Sequence, residues 1–327
     1  MDYIEFTDYW IYNNDTIIIK PLFNDNIISL IFTNYNIIDS AIKTINNKKY
    51  CNIQTFNKSK FNKSLDNLPF GILNLIFGDN FNCTVDNLPQ SLQNLTFGDN
   101  FNQNVNNLPQ NLQNLTFGYS FNQMVDNLPS RILNLIFCGE FNQIIDNLPH
   151  GILNLSFGFN FNRIVDNLPQ SLQNITFGLH FNKLIDNLPQ SLKKLTFNEK
   201  FNCTVDNLPN SLENLTFGYG FNCTVDNLPQ NLQNLTFGSS FNQPLDKLPK
   251  FLLTINFIDN NSNRYFNFDK ELNFLPEFVC EIMLPRNYNQ EIIKLPSSLK
   301  VIYCSYSYKY INNFDKNKLD IIRISMN

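Results

Sequence analysis

Apolar and polar positions recur along this chain with a period of twenty. From Phe61 a unit that opens with Phe-Asn repeats ten times without an insertion, its first residue falling at 61, 81, 101 and so on to 241. The copy at residues 81–100 reads FNCTVDNLPQSLQNLTFGDN. Within the unit, positions 1, 5, 8, 12, 15 and 17 are apolar and position 9 is Pro. Positions 15 and 17 alternate with mostly polar 14 and 16, as in Asn94-Leu95-Thr96-Phe97. A period of two predicts a short strand with one face buried. Pro in every copy at position 9 and Gly in seven of ten at position 18 predict turns before and after that strand. No stretch between turns is long enough for a helix of two turns. Twenty residues cannot bury their own apolar face, so neighbouring copies must stack. The expected fold is an all-β solenoid of about twelve rungs, each adding one strand to a parallel sheet.

The columns created by stacking have separate roles. Phe at positions 1 and 17 accounts for 20 of the chain's 32 phenylalanines. At about 1.5–3 kcal/mol for each fully buried large apolar side chain, they and the Leu columns form the core. Asn stands at position 2 in all ten copies. Its stacked amides are expected to pair with turn backbone groups from rung to rung, in a ladder that includes Asn82, Asn102, Asn122, Asn142, Asn162 and Asn182. Asn at position 7 is read in the same way. Asp fills position 6 in nine copies, with Asn106 the exception. Carboxylates stacked about 5 Å apart repel by roughly 0.8 kcal/mol per pair even in water. Either each Asp accepts backbone N–H bonds in its own turn, or the column is a cation track. Calcium wants six to eight oxygens, and one carboxylate per rung supplies too few, so no Ca²⁺ site is assigned.

Position 14 is Asn in eight copies and position 16 is mostly Thr, which predicts a polar strand face satisfied by its own contacts, on the concave side of the sheet. Variation concentrates at positions 19 and 20. Tyr119, Phe159, Leu179 and Tyr219 at position 19 are candidate partner-binding residues, since exposed aromatics anchor interfaces well. The alternative is drift in a tolerant loop.

Both ends of the array carry decayed copies. Residues 27–32, IISLIF, align with residues 72–77, ILNLIF, inside an N-terminal cap of residues 1–60. Ten in-register units fill residues 61–260. Residues 261–327 hold two degenerate units, one from Phe268 and one from Tyr288, and a C-terminal cap in which residues 319–324 supply a last strand.

The formal net charge of −4 is modest, and the array itself carries fifteen acidic against nine basic residues. That balance excludes a nucleic-acid surface, which needs clustered Lys and Arg. No apolar run of about 18 residues exists to span a membrane, and the N-terminus has neither a basic lead nor an apolar core for secretion, so the expected location is the cytoplasm. Seven cysteines show no CxxC spacing, which argues against zinc. Cys203 and Cys223 share position 3 of adjacent rungs, and are read as stacked small side chains rather than a disulfide. Two histidines, His150 and His180, lie at different unit positions without a nucleophile column beside them, and no phosphate-binding glycine loop occurs. No cofactor is expected, and the chain is read as no enzyme.

The block LPQSLQNLTF at residues 88–97 resembles leucine-rich repeats, especially the 20-residue kind with Leu-Pro before each strand. FNQPL at residues 241–245, followed by Leu248-Pro249, resembles FNIP repeats more closely still. The resemblance covers residues 61–260 strongly and 268–307 weakly. It implies a leucine-rich-repeat-like solenoid acting as a non-enzymatic scaffold for a protein partner. Members of that family often join the repeats to an F-box, an adaptor module of ubiquitin ligases. The alternative reading is therefore a substrate receptor whose residues 1–60 bind the ligase adaptor, although those residues lack the expected Leu-Pro followed by an amphipathic helix. One departure from the leucine-rich pattern stands out: the ladder Asn lies five residues after the last strand apolar residue, as Asn82 does after Phe77, instead of three.

Overall fold

A computed structural model describes residues 4–6, 9–12, 29–32, 62, 73–258, 266–315 and 317–324, the first three segments as backbone strands only. Phe61 and most of residues 1–60, the segment proposed for adaptor binding, lie outside the described residues. The chain forms two compact units, Met1–Phe159 and Asn160–Asn327.

In the first unit the strands are β1 Ile4–Phe6, β2 Tyr9–Tyr12, β3 Ser29–Phe32, β4 Asn74–Ile76, β5 Asn94–Thr96, β6 Asn114–Thr116, β7 Asn134–Ile136 and β8 Asn154–Ser156. β1 and β2 pair antiparallel, with Ile4 opposite Ile11. From β2 onward each strand pairs parallel with the next. Ser29 faces Asn74 and Leu30 faces Leu75, so residues 29–32 form a strand in the register of the repeat. Leu75, Leu95, Leu115, Leu135 and Leu155 then face one another at steps of twenty residues.

The second unit contains β9 Asn174–Thr176, β10 Lys194–Thr196, β11 Asn214–Thr216, β12 Asn234–Phe237, β13 Thr254–Phe257, β14 Glu281–Met283, β15 Val301–Ser305 and β16 Asp320–Ile324. All its neighbouring strands pair parallel. A short 3-10 helix, Lys309–Asn313, joins β15 to β16. Among the described residues no helix is long and apolar enough to cross a membrane.

Two turns close each rung. The Leu92 N–H donates to the Pro89 carbonyl at 3.2 Å, and the Phe101 N–H to the Gly98 carbonyl at 3.3 Å. Proline suits the first of these turns, because that position must supply only an acceptor. Glycine at position 18 serves packing more than turning. A Cβ on Gly118 would stand 2.1 Å from the Gly98 carbonyl oxygen, so rungs approach too closely there for a side chain. Cys138, Asn198 and Ile258 occupy the same position in three rungs, and nothing in the structure explains why a side chain is accepted there.

The phenylalanines stack between the turns. Within a rung, the rings of Phe97 and Phe101 lie face to face with centroids 3.7 Å apart. Between rungs, Phe97 and Phe117 are 5.6 Å apart and Phe101 and Phe121 are 6.0 Å apart, all in near-parallel planes. In the second unit the position-1 column continues past the array: Phe241 stacks on Phe268, Phe268 on Tyr288 and Tyr288 on Tyr308, at 5.9 to 6.1 Å. Phe268 and Tyr288 thus continue the ring stack of position 1 beyond Phe241. The tyrosines extend the column by returning their hydroxyls to backbone, Tyr288 to the Lys270 carbonyl and Tyr308 to the Gln290 carbonyl, each at 3.0 Å.

Candidate functional site

Three polar columns account for much of the repeat's invariant surface. At position 2 the Asn side chain accepts from the backbone N–H of the next rung's Asn: Asn82 Oδ1 from Asn102, Asn102 Oδ1 from Asn122 and Asn122 Oδ1 from Asn142, each at 2.9 Å. Asn62 Oδ1 takes the Asn82 N–H in the same way. In the second unit Asn162 and Asn182 accept from Asn182 and Asn202, also at 2.9 Å. The position-3 side chain often adds a second bond to the same oxygen, as Gln143 Nε2 does to Asn122 Oδ1 at 3.0 Å. On the strand face, Asn94, Asn114 and Asn134 donate through Nδ2 to Oδ1 of Asn74, Asn94 and Asn114.

The Asp column at position 6 finds its partner in the adjacent rung. Asn107 Nδ2 donates to Asp86 Oδ1 at 2.9 Å, and Asn147, Asn207 and Asn227 donate likewise to Asp126, Asp186 and Asp206. Lys247, which replaces Asn at position 7, forms a 3.0 Å ion pair with Asp226. Positions 6 and 7 therefore work as one carboxylate–amide ladder, in which a donor from the next rung stands between successive charges. From sequence the Asp column has two readings, backbone N–H bonds in its own turn or a cation track, and the position-7 amide is expected on backbone; a side-chain amide of the next rung is neither.

The variable position-19 edge behaves differently. In the first unit Tyr119 is 43% exposed and Phe159 48% exposed, yet their rings meet edge to face with centroids 6.1 Å apart. They stand two rungs apart. Gly139 lies between them with φ of +39°, and a Cβ there would come within 2.6 Å of the Tyr119 ring. The left-handed backbone and the missing side chain let the two aromatics lean together. Hydrogen bonding to the Glu140 carboxylate, followed by its charge, holds the Tyr119 phenol above its ordinary pKa. Farther along the edge, burial and then the charge of Asp99 raise the Asp79 carboxyl.

In the second unit the other two candidates, Leu179 and Tyr219, line one groove with a volume of about 330 Å³. Position 16 contributes a row of hydroxyls, Thr196, Thr216 and Thr236, which face each other across β10, β11 and β12. Position 18 contributes Asn198, Gly218, Gly238 and Ile258. Glu199 and Ser239 complete the position-19 side. Ser239 is 1% exposed, and its Oγ has no hydrogen-bond partner. The Asn198 side chain is already committed, donating to the Phe177 carbonyl at 2.8 Å. Sequence reasoning picked out Leu179 and Tyr219 but not the threonines, which look like ordinary members of a uniform column. Asn198 and Ile258, two of the three departures from Gly at position 18, were the available signal.

Cys83, Cys138, Cys203 and Cys223 are free thiols, and burial pushes each above the usual thiol pKa, which keeps the weakly nucleophilic thiol form at neutral pH. Cys203 and Cys223 donate to Asn182 Oδ1 and Asn202 Oδ1. Among the described residues no group of three His, Cys, Asp or Glu side chains could hold a metal ion.

Comparison with solved structures finds CroV588, described as a circular LRR protein, at 34% identity and a TM-score of 0.60, covering 80% of this chain and 48% of that one. The chain thus spans about half the length of CroV588. YopM from Yersinia enterocolitica matches at 18% identity and a TM-score of 0.39, over 75% of this chain and 68% of its own. A chain of the Drosophila Toll–Spatzle complex matches at 12% and 0.43, over 78% and 33%. No curated protein matches. The family model for the FNIP repeat matches seven times, at residues 61–99, 83–106, 101–139, 141–180, 159–200, 181–220 and 221–260. With most of the chain under those matches and its strands in the register they imply, the protein belongs to the FNIP repeat family.

Proposed function

We propose that the chain is a non-enzymatic scaffold for protein–protein interaction, and that the position-19 edge contacts the partner. The carrying observation is the Tyr119–Phe159 pair, two large rings left half in solvent and brought together across Gly139. A rung needs neither ring for its own stability, because its core is complete in the two Phe columns. Pre-positioned aromatics lose little conformational freedom on binding, which suits them to anchor an interface. The invariant columns, by contrast, spend their amides and carboxylates on one another. Free thiols support a reducing compartment, and we place the protein in the cytoplasm.

Affinity capture from cell extract tests this reading, comparing the full chain with a triple variant, Tyr119→Ser, Phe159→Ser and Tyr219→Ser. A defined partner retained by the first and lost from the second is expected. Equal capture by both would remove the position-19 edge from the interface.

A further inference from the structure

We infer that the position-19 edge of the first unit docks an extended, arginine-bearing segment of a partner protein. This rests on the reading of that edge as the interface and adds the chemistry of what meets it. Backbone bonds fix the edge: the Asn100, Ser120 and Glu140 N–H groups donate to the Asp79, Asp99 and Tyr119 carbonyls at 2.7 to 2.9 Å, one bond per rung. Between residues 79 and 159, positions 19 and 20 hold three carboxylates, Asp79, Asp99 and Glu140, beside the exposed rings of Tyr119 and Phe159, and no lysine or arginine. Across residues 73–159 the one such cation is Arg131, which lies at position 11 and donates to Asn111 Oδ1 at 2.8 Å. Position 6 shows how the repeat otherwise treats a carboxylate column: Asp86 and Asp126 each accept a side-chain amide from the next rung. At position 19 the successive carboxylates Asp79 and Asp99 instead take backbone N–H groups, those of Asp99 and of Tyr119. Burial, and then the charge of Asp99, raises the Asp79 carboxyl, so the two charges act on each other. A cation supplied from outside would relieve that repulsion.

Chemistry and spacing narrow the class. The Glu140 carboxylate accepts the Tyr119 phenol, so a negative charge stands at the tip of a half-exposed ring. A planar guanidinium can lie over that ring and still donate to the carboxylate, whereas the compact, strongly hydrated ammonium of lysine is less suited to both contacts. From Asp79 to Glu140 the edge climbs three rungs, about 14 Å, and side chains four residues apart on one face of an extended segment stand about 13 Å apart. One arginine therefore meets the Asp79–Asp99 pair while a second reaches Glu140 and Tyr119. The same charge repels nucleic acid and anionic membranes.

The test is fluorescence anisotropy of the full chain with a labelled heptapeptide that carries arginine at its second and sixth positions and glycine or leucine elsewhere, beside a counterpart with glutamine at both. At about 50 mM salt the arginine peptide is expected to bind with a Kd below about 1 mM, and the glutamine peptide at least about tenfold more weakly. The double variant Asp79→Asn, Asp99→Asn keeps both acceptors for the backbone and should weaken the arginine peptide about fivefold; Glu140→Gln should act in the same direction. Asp126→Asn removes a charge at position 6 of the same unit and should leave binding unchanged. Circular dichroism checks each variant, and Glu140→Gln carries the test alone if the double variant unfolds. Absence of binding by the arginine peptide, equal binding of the glutamine peptide, or an equal loss from Asp126→Asn would overturn the inference. Affinity capture separates it from the reading beneath it. A partner lost from the Tyr119→Ser, Phe159→Ser, Tyr219→Ser variant but kept by Asp79→Asn, Asp99→Asn and by Glu140→Gln leaves the edge as the interface and removes its basic occupant, whereas equal capture by the serine variant removes the edge itself.

Discussion

Asn122 holds two donors on one oxygen, the backbone N–H of Asn142 at 2.9 Å and Gln143 Nε2 at 3.0 Å. Removing such an acceptor costs more than the bonds themselves contribute, because a part-buried N–H is left without a partner. Asn122→Ala is expected to destabilise the protein by about 1–3 kcal/mol and to speed hydrogen exchange at the Asn142 amide, with distant rungs unaffected. Urea denaturation followed by exchange measured residue by residue would check both parts. That Asn at position 2 serves backbone could be read from its presence in every copy, since an invariant amide beside a turn has few other uses. The partner of Asp86 could not be read so, because Asn107 lies 21 residues away and reaches it only once the rungs are stacked. Tyr119 and Phe159 pose the same difficulty over two rungs, their contact depending on what Gly139 lacks.

At the scale of the element, each strand is only three to five residues long and would not persist alone. Its stability comes from the rings beneath it. Phe117 touches Phe97, Phe121 and Phe137 with near-parallel planes, and it is fully buried. Phe117→Ala should therefore cost about 3–5 kcal/mol, whereas Ile136→Ala, on the exposed face of β7, should fall within about 0.5 kcal/mol of the parent. Comparable losses at both sites would contradict the inside and outside assigned to the sheet. These faces were legible from the alternation at positions 14 to 17, which has one solution for a strand packed on one side. The 3-10 helix Lys309–Asn313 was not, since it lies beyond the repeat and has no periodicity to announce it.

For the molecule as a whole, the central fact is that within each unit partners in the array lie a constant twenty residues apart, as Leu195 does from Leu215 and Leu215 from Leu235. Stability in such a chain is close to a sum of rung and nearest-neighbour terms. Deleting residues 201–220 would join Lys200 directly to Phe221 and offer each strand the same chemistry at its new neighbour. The shortened protein is expected to keep its β-sheet circular dichroism and to unfold in one cooperative transition at lower denaturant; deletion of 201–210 alone leaves the strands β10 and β11 ten residues apart, too few to close a rung, and should split the transition in two. Identical outcomes for the two deletions would show that the register is not the organising constraint. The same constancy reaches into heredity. A slip of one whole unit during copying of the gene adds or removes a finished rung, with its ring stack and amide bonds already matched on both sides. Such a lineage can vary in length by unequal exchange while leaving unrepeated features, such as the Gly139 gap between two aromatics, to be altered one codon at a time.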